Sequence, residues 1–236
     1  MENKINVTVA EGLQEIVVRQ GEALKLKEPE AIRISGTIDA PSKFLLAKKE
    51  SLKPIDSTLL VDINAGKITF TTDEKSFYRS IVTGTLTRSK ALKELGINDP
   101  GVMYGDKQLA KFIKSHIFYF NDAGKANDLI KKLMKFSANI QTDLKNESDL
   151  KGNVSKAFDR AVKTDLPDTI DIKCKIYEGL PEEIFTVDIC VEADASALIF
   201  YFDSPALYIL EDKLKTEYLE KESLIFEGWG CAVINI

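Results

Sequence analysis

Acid–base or nucleophilic chemistry in this chain would have to begin at a single histidine. His116 lies at the end of a predicted helix, followed by Ile117 and Phe118. A Ser-His-Asp or Cys-His arrangement would need that same residue, and no nucleophile-elbow pattern accompanies it. At a helix C-terminus an imidazole serves more readily as a dipole partner or packed ring than as a base. One histidine and three cysteines (Cys174, Cys190, Cys231), with no cysteine pair at ligand spacing, exclude the usual zinc sites. The cysteines all fall in strand-like segments and read as small reduced hydrophobes. No P-loop and no Gly-x-Gly-x-x-Gly fingerprint occurs. The acid pairs Glu182-Glu183 and Glu211-Asp212, and Asp171 with Asp188, read as surface charges. The expectation is a protein that is not an enzyme, with no catalytic residue, cofactor or metal site.

Binding chemistry has more to draw on. Lys75, Arg79, Arg88, Lys90, Lys93, Lys107, Lys111 and Lys114 are interleaved with Tyr78, Tyr104, Phe118 and Tyr119. Cations neutralise phosphates and aromatic rings stack on unpaired bases, so these residue types suit single-stranded nucleic acid. The candidate contact set is Arg79, Arg88, Lys90, Lys93, Lys107, Lys111, Lys114 and Tyr104, with Phe118 and Tyr119 expected in the core. Charge is unevenly spread within a net −5: residues 75–135 hold 12 Lys/Arg against 5 Asp/Glu, and residues 177–228 hold 3 against 13. Such asymmetry marks either a basic binding face or two solvated surfaces that attract each other, within one protomer or between protomers.

The elements that must position these residues follow from hydrophobic periodicity. In the second half, Ile170, Ile172, Cys174 and Ile176 alternate with polar residues, as do Phe185, Val187, Ile189 and Val191 after Gly179. Period-2 patterning of this kind predicts half-buried antiparallel strands, with Ala197 to Phe202 as a third and Cys231 to Ile236 as a fourth. A helix is predicted from Ser204 to Ser223, with Leu207, Leu210, Leu214 and Tyr218 as its stripe. Trp229, between two glycines, reads as an intramolecular plug or a contact anchor.

In the first half, strands are predicted over 5–10, 13–20, 24–26 and 31–38, then a short helix opening at Asp39-Ala40-Pro41. Residues 58–63 and 67–72 flank Asn64-Ala65-Gly66, a hairpin signature with glycine at the left-handed position. Residues 76–87 extend that sheet, and Gly84 reads as a bulge. Helices follow over 89–95, from Asp106 to about His116, and over 126–144, where Leu129, Ile130, Leu133, Met134 and Ile140 recur at helical spacing. The stretch 146–153 reads as a loop, and 154–163 as a short helix or strand.

The fold class expected is α+β: antiparallel sheets with helices packed on one face and a β-rich N-terminal part. The division expected is 1–88 and 89–236, which can pack as one compact domain. A composition of 44% apolar and 29% charged residues is that of a globular chain. No run of about 18 apolar residues is present, so no membrane span is expected. No apolar segment follows Met1-Glu2-Asn3-Lys4, so a cytoplasmic product is expected rather than a secreted one.

The order of elements also carries a resemblance. Lys107-Gln108-Leu109-Ala110-Lys111-Phe112-Ile113, a long helix and a polar loop precede Leu166-Pro167-Asp168-Thr169-Ile170-Asp171-Ile172. Tyr177-Glu178-Gly179 and Phe185-Thr186-Val187 follow. Over roughly the last 130 residues this resembles the YfdQ-like family of prophage-encoded proteins. The resemblance implies a phage or prophage origin and a product of the host cytoplasm, and it transfers no catalytic residue. Two functions are therefore expected. One is a non-enzymatic accessory protein that acts as a homo-oligomer or binds a host or phage protein. The other is a single-stranded nucleic-acid-binding factor of phage DNA metabolism.

Overall fold

The protein is described here by a computed structural model covering residues 32–76, 78–147, 166–194 and 197–236. The strands expected over 5–10, 13–20 and 24–26, and the element expected over 154–163, lie outside the described residues. The chain order is β1 (Ile32–Thr37), α1 (Ala40–Lys48), β2 (Thr58–Asp62), β3 (Lys67–Thr71), β4 (Ser80–Thr85), α2 (Lys90–Leu95), α3 (Asp106–Ser115) and α4 (Ala123–Glu147). It continues with β5 (Thr169–Lys175), β6 (Glu182–Asp194), β7 (Ala197–Asp203), α5 (Pro205–Trp229) and β8 (Ala232–Asn235). This is the expected α+β class.

The strands form two sheets, one of five strands ordered β1-β4-β3-β2-β8 and one of three ordered β5-β6-β7. The smaller sheet is antiparallel throughout, as its alternation predicts. The larger is mixed, because β1 runs parallel to β4 and β8 parallel to β2. The expectation of antiparallel sheets alone is corrected here, and so is the place of the last strand. Residues 231–236 do not extend the β5–β7 sheet; they pair with Thr58–Val61 at the far edge of the other one. Periodicity shows which face of a strand is buried but not which neighbour it takes. The sheet containing β2–β4 is thus completed by the last strand of the chain, across the division expected at residue 88.

Local chemistry explains the elements. The β2–β3 hairpin turns through Gly66 at φ +60°, as its sequence predicts. Gly84 is a correction: it pairs in register with Gly36 and Ile68, so no bulge exists. A Cβ there would stand 2.5 Å from the Ile38 carbonyl oxygen and 2.8 Å from Pro41 Cδ. Glycine lets the start of α1 lie directly on the sheet.

One face of the larger sheet buries Leu59, Val61, Ile68, Phe70 and Val82 beneath α1 and α5. Phe70 is the centre, with the ring of Phe226 at 4.7 Å and Trp229 edge-on at 6.2 Å. Trp229 therefore acts as an intramolecular plug. The smaller sheet buries Ile170, Ile172, Phe185, Val187, Phe200 and Phe202, with α2 against β5 and α3 against β7. α5 serves both sheets. At its start the Ser204 hydroxyl donates to the Thr186 carbonyl (2.6 Å) and accepts from the Leu207 N–H (3.2 Å). At its end Phe226 seals the larger sheet. The helix runs to Trp229, past the predicted end at Ser223, and Gly230 closes it in the left-handed conformation.

Candidate nucleic-acid interface

α2 and α3 carry five of the eight candidate residues. Ser89 starts α2: its hydroxyl accepts from the Leu92 N–H at 3.1 Å and donates to the Lys175 carbonyl at 2.5 Å, which ties the helix to the end of β5. Leu92 and Leu95 are buried, and Lys90 and Lys93 face solvent. The cap of α3 is Gly105 rather than the expected Asp106; the Gln108 side-chain carbonyl accepts from the Gly105 N–H at 3.0 Å. Leu109, Ala110 and Ile113 go into the core. Lys107, Lys111 and Lys114 are exposed, and their spacing of four and three residues stacks them on one helical face. None of these three, nor Lys93, has an ion-pair partner among the described residues, whereas Lys90 reaches Glu94 at 3.4 Å.

An aromatic cluster lies between the two helices, and the sequence reading misplaced part of it. Phe118, expected in the core, is 67% exposed. The segment 117–119 is a 3-10 turn that follows α3 directly, so helical phase does not carry into it and Phe118 turns outward. Its ring lies 4.2 Å from that of Tyr119, which stacks on His116 at 6.2 Å. His116 in turn packs 4.3 Å from Phe112, and its Nδ1 is 3.0 Å from the Phe112 carbonyl oxygen. The ring of His116 is thus engaged in packing. The Tyr119 hydroxyl donates to Glu94 at 3.4 Å, which joins the cluster to α2. Burial, followed by the nearby Glu94 charge, raises the Tyr119 pKa, so the phenol stays neutral.

The remaining three candidates serve elsewhere. Arg88 makes a two-point ion pair with Glu211 of α5, Nε to Oε1 at 2.6 Å and Nη2 to Oε2 at 2.7 Å. That hydrogen-bonded carboxylate raises the Arg88 pKa further. Tyr104 lies under α3, its ring 4.9 Å from Phe112, and its backbone exchanges two 2.8 Å hydrogen bonds with Phe200. Arg79 is exposed just ahead of β4 in the larger sheet. Sequence proximity grouped these with the lysines; the strand-to-helix path separates them.

The cysteines are free, and burial pushes Cys174 up to about 12 and Cys231 up to about 11. Cys190 is raised by burial as well. All three remain protonated thiols at neutral pH. Among the described residues no cluster of His, Cys, Asp or Glu is placed to hold a metal ion, and no helix is long and apolar enough to cross a membrane. Comparisons of the chain with protein-family models, curated proteins and solved structures find no match.

Proposed function

We propose that this protein works by binding rather than catalysis, and that the α2–α3 surface takes up single-stranded nucleic acid. The observation that carries the reading is the row Lys107, Lys111 and Lys114, without ion-pair partners among the described residues, ending at the exposed ring of Phe118. A cationic row follows a phosphate backbone and an exposed ring stacks a base, the combination that sequence-tolerant single-strand binding requires. Resemblance to the YfdQ-like proteins supports an accessory role in the cytoplasm of a prophage-bearing host. Fluorescence anisotropy with a labelled single-stranded oligonucleotide tests the reading across a salt series. Binding should weaken with salt by about 0.7 log units per log unit of salt for each phosphate neutralised. Phe118→Ala should cost about 1–3 kcal/mol of affinity while leaving the melting temperature unchanged. Absence of binding at low salt would refute it.

A second reading, an oligomeric or partner-binding module, is favoured by the edge strand β1, where Ile32 and Ile34 are 56% and 38% exposed. Exposed apolar edges recruit further strands.

A further inference from the structure

We infer that the outer face of the three-stranded sheet docks onto the α2–α3 face of a second copy of this chain, giving a head-to-tail, salt-sensitive assembly. The outer face of β5, β6 and β7 is the side turned away from α2 and α3. In register it presents Asp188 opposite Asp203, with Asp171 one step along on β5 opposite Thr186. Asp171 accepts a hydrogen bond from the Thr186 hydroxyl at 2.9 Å. No cation pairs with any of the three aspartates among the described residues, although Lys173 on the same face is paired with Glu182 at 3.5 Å. Two carboxylates placed directly across a strand pair repel each other, and the outward lysines of this sheet, Lys173 and Lys175, lie toward the Glu182 end of β5 instead of between these aspartates.

The counter-charge lies on the opposite side of the same two layers. α3 packs against the inner face of β7 through Phe112, whose ring is 6.4 Å from that of Phe202. Lys107, Lys111 and Lys114 occupy the helix side away from its buried Leu109, Ala110 and Ile113. Three cations and three carboxylates, none ion-paired among the described residues, thus stand back to back and cannot meet each other within one protomer.

Their dimensions agree. Seven residues of helix place the lysine row over about 10 Å. Two strand spacings and one two-residue step place Asp171, Asp188 and Asp203 over about 12 Å. Lysine stems are long enough to absorb the difference. Because the two faces differ, the contact is heterologous and repeats from copy to copy instead of closing as a two-fold dimer. Charge complementarity of this kind selects partner and orientation, and salt weakens it.

Sedimentation velocity on the full chain, with no nucleic acid present, tests the assembly. The wild type should sediment as concentration-dependent species larger than a monomer at about 0.01 M salt and as a monomer at about 1 M, where the screening length falls from about 30 Å to about 3 Å. Lys107→Glu/Lys111→Glu/Lys114→Glu and Asp171→Lys/Asp188→Lys/Asp203→Lys should each be monomeric alone. Mixed, they should associate again, because one variant then presents two acidic faces and the other two basic ones. A monomeric wild type at low salt, a reversed variant that still assembles alone, or a mixture that stays monomeric would each overturn the proposal. Since no oligonucleotide enters the experiment, its outcome is independent of whether the lysines also bind nucleic acid.

Discussion

The five-stranded sheet leaves an edge open and carries an outer face rich in threonine, whereas the three-stranded sheet has guarded edges and an outer face of carboxylates. Along β5 the edge is bonded by Ser89 N–H to the Ile176 carbonyl at 2.9 Å and by Asn121 N–H to the Asp171 carbonyl at 3.0 Å. Along β7 the guards are Asn98, bonded to the Phe202 carbonyl at 3.1 Å, and Tyr104. The helical segments thus satisfy edge groups that would otherwise pair with another chain. The larger sheet presents Thr58, Thr69, Thr71, Thr83 and Thr85 outward, and β1 at its margin is exposed along nearly all its length. The proposed contacts differ in the same way: charge-led at the smaller sheet and backbone-led at the larger.

The two sheets should nevertheless melt together, because α5 is anchored in both. Truncating a fully buried ring removes its transfer energy and leaves a cavity. Phe226→Ala, at the larger sheet, should therefore lose about 4 kcal/mol in urea unfolding, and Phe200→Ala, at the smaller, a similar amount. Both should show one cooperative transition by fluorescence and by far-ultraviolet circular dichroism. Separate transitions in the Phe226→Ala variant would show that the sheets are energetically independent and that α5 is not a shared spine. A smaller loss is expected at Gly84. An added methyl must displace the Ile38 carbonyl or the Pro41 ring, so Gly84→Ala should cost about 2 kcal/mol. An unchanged midpoint would mean that α1 lies on the sheet more loosely than the geometry shows.

A pH effect separates the two regions next. Glu222 on α5 is 3% exposed, and its Oε2 has no hydrogen-bond partner. It faces Ser42 and Lys43 of α1 and Asp39 just ahead of that helix, with Lys221 beside it on its own helix. Desolvation raises its pKa above 4.5, Asp39 adds to the rise, and Ser42 and the two lysines oppose it. A raised carboxylate binds its proton more tightly in the folded protein than in the unfolded chain. Its contribution to stability is therefore fully present below pH 4.5 and is lost as pH climbs through the raised value. Glu222→Gln should stabilise the protein by about 1 kcal/mol at pH 7 and leave it unchanged near pH 4. A gain that is the same at both pH values would assign the effect to packing instead of charge.

How much of this could be read in the sequence differs between the two regions for the same reasons. The smaller sheet is built from consecutive strands, so alternation shows its inward residues, and short connections make sequence neighbours its pairing partners. The larger sheet takes its last strand from the end of the chain, and nothing local in Ala232–Asn235 names Thr58–Val61 as the partner. Of the candidate contact residues, the lysines of α3 were legible because helical spacing fixes their common face. Arg88 was not, since its partner Glu211 lies 123 residues away and only the folded chain brings them together. Phe118 differs from its expected place in the core because the 3-10 turn after α3 directs its ring outward, and residue type alone does not show that. Met134, counted in the apolar stripe of α4, is 50% exposed because it lies at the margin of the face that buries Ala126, Leu129 and Leu133.

The smallest expected effect on stability falls at the edge that sets the two sheets apart. Ile34 pairs with Val82 across β1 and β4, yet it remains 38% exposed because no strand covers the far side of β1 among the described residues. Ile34→Lys removes an apolar side chain from solvent contact without opening a cavity, so the unfolding midpoint should move by no more than about 0.5 kcal/mol. Its effect on association should be larger, because a charge on an edge strand opposes strand addition. The informative condition is high salt, where charge-led stacking is screened and backbone pairing is not. Light scattering there, at protein concentrations well above those at which the chain sediments as a monomer, should show less weak self-association for Ile34→Lys than for wild type. If the two scatter alike at high salt, β1 is not an adhesive edge, and the larger sheet differs from the smaller in its charge alone.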